Sequence, residues 1–149
     1  MAARLLQCTI QRTSRFERKH NAYADLPHAY QITQQRWPLA IEGRVETTVM
    51  VQGGKKKKKK KAQPQSFACR INRIQLEQDS GKTVQVSNPQ TGFRESRVDL
   101  NRAGQALIEI VSEPDLRTPQ QAAATVEHVR QLFKHVGICN GRMEEGSLR

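Results

Sequence analysis

A chain of 149 residues is long enough for one ordinary domain with a modest core, or for a piece of something larger. Aromatic residues make up only 5% and the mean hydropathy is -0.72, which argues against a large self-sufficient core, and no apolar run approaches the ~20 residues of a membrane span. The net charge of +11 favours nucleic acid, acidic lipid or an anionic substrate, but Lys55 to Lys61 supply seven of those charges and the remaining +4 is ordinary.

The segment from Leu5 to about Val51 begins irregularly and ends in a strand. The Arg-rich start, Met1 to Arg18, has no acid before Glu17 and superficially suits a mitochondrial transit peptide. Asp25-Leu26-Pro27 reads as a turn, because the residue before a proline is pushed out of the helical region. Arg44 to Val51 alternates, with Val45, Thr47, Val49 and Val51 on one face, and predicts a half-buried strand. Gln52 to Gln65 is of low complexity: a Gly-Gly pair, seven lysines, then Ala62-Gln63-Pro64-Gln65. Charges this dense repel one another, so residues 52–65 read as a solvated, disordered insertion.

Beyond it, Phe67, Cys69 and Ile71 alternate. The phase then slips to Ile74 and Leu76, as a bulge near Asn72-Arg73 would allow. Gln75, Glu77 and Asp79 would project from the face opposite Ile74 and Leu76. Ser80-Gly81 then turns the chain, and Thr83 to Val86 can return as a hairpin partner. Ala106 to Val111 has the length and β-branched content of a buried strand. From Pro119 to Val136 the sequence predicts a helix. Thr118 is its N-cap, Pro119 its first residue, Gln121 completes a capping box and Gly137 closes it. Its apolar stripe is Ala122, Val126, Val129, Phe133 and Val136. Strand, hairpin, strand and helix in this order indicate an α+β class with a mixed sheet and one long capped helix near the C-terminus.

Several polar runs carry candidate chemistry. Gln75 to Lys82 sets two carboxylates two residues apart and a lysine beyond a turn. Oxygen ligands of this kind can hold Mg²⁺, and an ammonium can meet phosphate. A solvated strand face leading into a charged turn accounts for the same spacing. Arg97 to Gly104 is either a substrate-facing polar loop or a capped turn. Ser112 to Asp115 either presents two acids to a ligand or satisfies backbone donors. Met143 to Arg149 adds the pair Glu144 and Glu145. The cysteines, Cys8, Cys69 and Cys139, are widely spaced and show no zinc pattern, and the four histidines are scattered. Composition and spacing alone name no reaction.

Longer motifs do. Arg15-Phe16-Glu17-Arg18-Lys19-His20, Tyr23-Ala24-Asp25-Leu26-Pro27 and Tyr30-Gln31-Ile32-Thr33-Gln34 resemble the RK(N/H)YFY, DLP and GYQI signature of the B subunits of tRNA-dependent amidotransferases (GatB). Gln75 to Lys82 resembles that family's HLEEDAGK, in the QLEQDSGK form of its mitochondrial members. Val98 to Asp115 resembles VDxNRAGxPLIEIVSEPD almost letter for letter, and Met143 to Arg149 is similar to MEEGSLR. The resemblance covers nearly the whole chain apart from the lysine run.

It implies residues 1–149 as part of the family's N-terminal cradle domain, which carries kinase and transamidase chemistry. The implied reaction converts Glu-tRNA(Gln) to Gln-tRNA(Gln). ATP and Mg²⁺ activate the glutamate side chain as an acyl phosphate, and ammonia from glutamine then displaces phosphate. The implied partners are an amidase subunit, a small third subunit and misacylated tRNA(Gln), with no membrane. The implied location is mitochondrial. In this sequence Glu77 is the first choice for a metal ligand, and Glu77, Lys19 and Lys82 are the implied catalytic residues, the two lysines as phosphate or substrate contacts. Asp79, Asp99 and Arg102 are the cofactor-side candidates, and Glu144 and Glu145 further metal candidates.

The chain departs from the family pattern at several points. An upstream strand bearing Glu and His, a cysteine-rich segment of some members, a CDAN stretch after SLR and the C-terminal tRNA-gripping domains are not in the sequence. Asn21 and Ala22 stand for an aromatic pair and Ala29 for a glycine. Leu5 to Ile10 resembles the interior of the family domain, so Met1 is expected to be an internal start rather than the head of a transit peptide. The chain is expected to be an incomplete piece, inactive by itself. The competing class is a non-catalytic basic RNA- or partner-binding module whose acidic motifs remain from a lost activity.

Overall fold

The computed structural model describes residues 1–51 and 62–149. The lysine run Lys55 to Lys61, and with it most of the expected insertion, lies outside the described residues. The element order is α1 (Ala2–Leu5), β1 (Thr9–Ile10), β2 (Glu17–His20), β3 (Tyr30–Thr33), β4 (Ala40–Val51), β5 (Gln63–Gln78), β6 (Lys82–Ser87), β7 (Arg94–Asp99), β8 (Ala106–Ser112) and α2 (Pro119–His135). Strands and helices mix as the α+β class requires. One sheet has the order β1-β4-β5-β8, and β2-β3 and β6-β7 form separate two-stranded sheets. Contacts divide the chain into two units: Met1–Ile10, Ala40–Arg73 and Val111–Arg149 in the first, Gln11–Leu39 and Ile74–Ile110 in the second.

The first unit is built on β4. Val45 and Val49 are buried and Thr47 half-buried, as alternation requires, while Val51 on the same face is 44% exposed. The strand begins at Ala40, earlier than the alternation indicates, because β1 pairs there with Thr9 opposite Ile41. Cys69 and Ile71 of β5 are buried beside this apolar set. β5 begins at Gln63, so residues 63–65 are strand and not the end of a loop. Pro64, which has no N–H for a ladder, sits at the strand's start, where that is tolerated.

Helix α2 packs on β4 through Val129 and Phe133. Its start carries both halves of a capping box: the Gln121 N–H donates to Thr118 Oγ1 at 3.2 Å, and the Thr118 N–H donates to Gln121 Oε1 at 3.2 Å. Its end is a Schellman turn. Gly137 takes φ +71°, its N–H reaches the Lys134 carbonyl at 3.1 Å, and the Ile138 N–H reaches the Phe133 carbonyl at 2.9 Å. The buried stripe differs from the expected one. Thr125 is buried and Val126 is 44% exposed. Thr125 accepts burial because its hydroxyl donates to the Gln121 carbonyl at 2.9 Å. Strand β8 holds no buried residue, since it lies at the sheet's edge, and this corrects its expected burial.

The second unit contains two hairpins. In β2-β3, Glu17 faces Thr33 and Lys19 faces Gln31. Strand β6 pairs with β7, Lys82 opposite Asp99, and not with the end of β5 as the Ser80-Gly81 turn suggested. The phase slip in β5 falls where both faces become covered, for Ile74 and Gln75 are both buried. Among the described residues no helix is long and apolar enough to cross a membrane.

Candidate functional site

Gln75, Glu77 and Asp79 lie buried at 4%, 8% and 4% exposure, so the end of β5 is not a solvated polar face. Buried polar groups require partners, and here they come from the β2-β3 hairpin. Thr33 Oγ1 donates to Glu77 Oε2 at 2.7 Å, and Gln31 Nε2 donates to Oε1 at 3.3 Å. Gln75 Nε2 reaches Thr33 Oγ1 at 3.1 Å and Glu77 Oε2 at 3.4 Å. Lys19 Nζ stands 3.8 Å from Glu77 Oε2, with the lysine side chain 47% exposed. Antiparallel pairing places Lys19, Gln31 and Thr33 on one hairpin face, which is the face turned to Glu77.

Two glutamines fix this register through side-chain amides. Gln34 is nearly fully buried, and its Oε1 accepts from the Leu76 N–H at 3.0 Å. Gln78 Oε1 accepts from the Ile32 N–H at 3.1 Å, while Gln31 Nε2 also donates to the Gln78 carbonyl at 2.9 Å. Gln31, Thr33, Gln34, Gln75 and Gln78 surround the candidate Glu77 without any role assigned to them from sequence. Gln31, Ile32 and Thr33 carry only the faint period-two signal of a very short strand.

The other predicted residues have local partners within their own units. Asp79 accepts from Arg102 Nε at 3.0 Å, and its backbone carbonyl accepts from the Gly104 N–H at 2.9 Å. At Gly81 the chain passes between two loops: its N–H donates to the Asp25 carbonyl at 2.8 Å, and an added Cβ would lie 2.8 Å from the Asp99 carbonyl oxygen. Lys82 and Asp99 are cross-strand partners at the start of the β6-β7 ladder. Asp99 Oδ1 also accepts from the Asn101 N–H at 2.9 Å, which is the capped-turn arrangement. Glu145 belongs to the first unit, where it takes Arg142 Nη1 at 2.6 Å and Asn140 Nδ2 at 3.2 Å, and Glu144 is exposed there. Structural duty also explains Ser112 to Asp115. Asp115 accepts from the Arg70 N–H and Nε, both at 2.9 Å, and from Nη2 at 2.7 Å. The Arg70 guanidinium holds the Asp115 carboxyl down at about 2. Cys8, Cys69 and Cys139 are free thiols, and burial pushes Cys8 and Cys69 above the usual thiol range.

Fit to a metal can be tested on the donor set. Glu77 is met by an ammonium, two amides and a hydroxyl rather than by other carboxylates. Among the described residues no group of three or more His, Cys, Asp or Glu could hold a metal ion. These residues therefore make no metal cage of their own. They offer one carboxylate, which suits only a cation that keeps water and substrate oxygens as its other ligands.

The α+β domain thus gathers a buried carboxylate, a half-exposed ammonium and an amide-rich hairpin into one polar cluster. Residues 1–149 match the GatB/GatE catalytic domain family, and the chain belongs to that family. It is 47% identical over 144 residues to the B subunit of the mitochondrial glutamyl-tRNA(Gln) amidotransferase of Aedes aegypti, covering 97% of this chain and 25% of that protein. It is 46% identical over 142 residues to the B subunit of the aspartyl/glutamyl-tRNA(Asn/Gln) amidotransferase of Brachyspira hyodysenteriae, covering 95% of this chain and 27% of that one. The chloroplastic/mitochondrial glutamyl-tRNA(Gln) amidotransferase of Ostreococcus tauri has a B subunit 44% identical over 144 residues, 97% of this chain and 26% of its own length. The chain thus spans about a quarter of the length of the curated relatives it matches.

Proposed function

We propose that this chain serves a glutamyl-tRNA(Gln) amidotransferase as part of its B subunit, in the step that activates the glutamate side chain on tRNA(Gln). The observation carrying this reading is the Lys19-Glu77 pair, a buried carboxylate holding an ammonium that is half open to solvent. One oxygen of Glu77 orients the lysine, and the remaining N–H groups of Lys19 are directed to an incoming phosphoryl oxygen. In the proposed reaction the substrate carboxylate attacks the γ-phosphorus of ATP and ADP leaves. Ammonia from an amidase partner then attacks the acyl carbon and phosphate departs. Mg²⁺, when bound, would neutralise phosphate charge, and Glu77 is the protein carboxylate offered to it. Arg102 and Asp79 would support the same region, with Lys82 and Asp99 at its hairpin edge. Glu144 and Glu145, carried on the first unit, remain further carboxylates for the metal in this reading. A small third subunit and a mitochondrial setting complete the proposal, the latter supported by the names of the insect and algal relatives.

The test is amidation of Glu-tRNA(Gln) by this chain assembled with the amidase and third subunits. Glu77→Gln and Lys19→Met are expected to lower kcat by roughly 10²- to 10³-fold, the scale of losing one oriented electrostatic group. Glutamine hydrolysis by the amidase should survive both changes. Unimpaired amidation in Glu77→Gln would sink the reading and leave the chain a non-catalytic binding module.

A further inference from the structure

The turn that follows α2 contains the chain's only Asn-Gly pair, Asn140-Gly141. Packing dictates the glycine. Gly141 takes φ +65°, and an added Cβ would lie 2.9 Å from Arg130 Cγ and from Lys134 Cγ on the helix. The Gly141 carbonyl accepts from Arg130 Nη1 at 3.4 Å, but its N–H makes no hydrogen bond among the described residues. Asn140 is exposed, and its side chain folds back over the chain that follows it. Oδ1 accepts from the Arg142 N–H at 3.0 Å, which is an Asx turn, and Nδ2 donates to Glu145 Oε2 at 3.2 Å. The ring closed by the first of these bonds contains both Cγ of Asn140 and the nitrogen of Gly141. A donor on Oδ1 also draws electrons from Cγ and makes that carbon easier to attack.

We propose that Asn140 is a site of spontaneous deamidation, and that the change loosens the turn from Asn140 to Ser147. The Gly141 nitrogen gives up its proton and bonds to Cγ of Asn140. The Cγ–Nδ2 bond then breaks, and the side-chain nitrogen takes up a proton and leaves as ammonia. One water opens the resulting succinimide at either carbonyl, giving aspartate or isoaspartate at position 140. The balance is one water in and one ammonia out, with no change of oxidation state. Asparagine is a thermolabile residue in general, but the other asparagines of this chain lack the same opening. Asn88 precedes Pro89, which has no N–H to offer, and Asn21, Asn72 and Asn101 precede residues whose side chains crowd the approach.

The product strains its surroundings. An aspartate at position 140 has no donor for Glu145, so two carboxylates face each other where a hydrogen bond stood. Isoaspartate instead adds a methylene to the main chain and takes the acceptor away from the Arg142 N–H. The same turn is closed by the Gly146 N–H on the Met143 carbonyl and the Ser147 N–H on the Arg142 carbonyl, both at 3.0 Å, and by Arg142 Nη1 on Glu145 Oε1 at 2.6 Å. None of this chemistry depends on the amidotransferase reading, although the turn carries Glu144 and Glu145.

The test holds the full, folded chain at physiological temperature and neutral pH for days and digests samples with trypsin. Cleavage after Lys134 and Arg142 releases a peptide in which Asn140 is the only asparagine. Its aspartate and isoaspartate forms are expected to grow in with time, while peptides carrying Asn21, Asn72 and Asn101 stay unchanged. The same peptide, synthesised and kept free in solution, is the reference. If it reacts while Asn140 in the folded chain converts no faster than Asn101, the fold shields the amide and the proposal is overturned. Asn140→Asp reads the consequence. Amides of Met143 to Ser147 should lose hydrogen-exchange protection in this variant, with Val129 to Phe133 unchanged. Wild-type protection throughout the turn would overturn the loosening.

Discussion

Ala29 sits at φ +57°, in the left-handed region that costs an L-residue about 1 kcal/mol or more. It is held there because its N–H donates to the Leu26 carbonyl and its own carbonyl accepts from the Asn21 N–H, both at 2.9 Å. The conformation launches β3, and β3 supplies Gln31 and Thr33 to Glu77. The family signature has glycine at this position, which fits a backbone that glycine enters without strain. Ala29→Gly is therefore expected to raise stability by about 0.5–1 kcal/mol, measured by urea unfolding, even though glycine loosens the unfolded chain. A fall in stability would mean the turn tolerates the methyl group without strain. Thr33 offers a sharper case. Its hydroxyl is the shortest donor to Glu77, so Thr33→Val should cost about 1–3 kcal/mol by leaving a buried carboxylate underbonded. Thr33→Ser should recover most of it, and an equal loss in both variants would assign the effect to packing instead.

At the scale of the element, what the sequence reveals depends on how far apart the partners lie. Helix α2 is legible because Thr118, Pro119, Gln121 and Gly137 declare its ends within a few residues of chain. Strand β4 is legible because one apolar face alternates with one polar face. The hairpin β2-β3 and the β6-β7 pairing are not, because a strand of four residues such as β2 carries too little pattern and its partner is chosen by register. The burial of Glu77 is hidden for another reason. Its covering groups, Thr33 and Gln31, stand more than 40 positions earlier in sequence, and only the fold brings them over. The acids at Ser112 to Asp115 are ambiguous by type and are decided by Arg70. That clamp predicts a pH dependence. Asp115 titrates near 2 in the fold, below its usual value of 3.8, because Arg70 stabilises the charged form. The stability it adds is present above about pH 4 and is lost as pH falls through about 2. The melting temperature of the wild type should exceed that of Asp115→Asn at pH 5, with the gap closing between pH 4 and 2. A gap independent of pH would remove the ion pair as its source.

Across the whole molecule the two units are held by different forces. Of the buried apolar residues among those described, leaving glycine aside, ten belong to the first unit, and only Leu26, Pro38 and Ile74 belong to the second. Of the buried polar residues, Thr33, Gln34, Gln75, Glu77 and Asp79 lie in the second unit, and only Thr125 in the first. A hydrogen bond contributes a net stabilisation of only about 1 kcal/mol, whereas burying a large apolar side chain contributes about 1.5–3 kcal/mol. The second unit should therefore open at lower free energy than the first. Its β6-β7 hairpin, in which no residue is buried, should open lowest of all. Native-state hydrogen exchange reads this order directly. Amides of β6 and β7 should exchange first and those of Tyr30 to Thr33 next. Those of Val45 to Val49 and of Val129 to Phe133 should come last and track global unfolding. If Tyr30 to Thr33 proved as protected as Val45 to Val49, the polar network around Glu77 would be as strong as the apolar core. The candidate site would then be a rigid part of the fold, and the local opening expected of ligand-binding segments would not describe it.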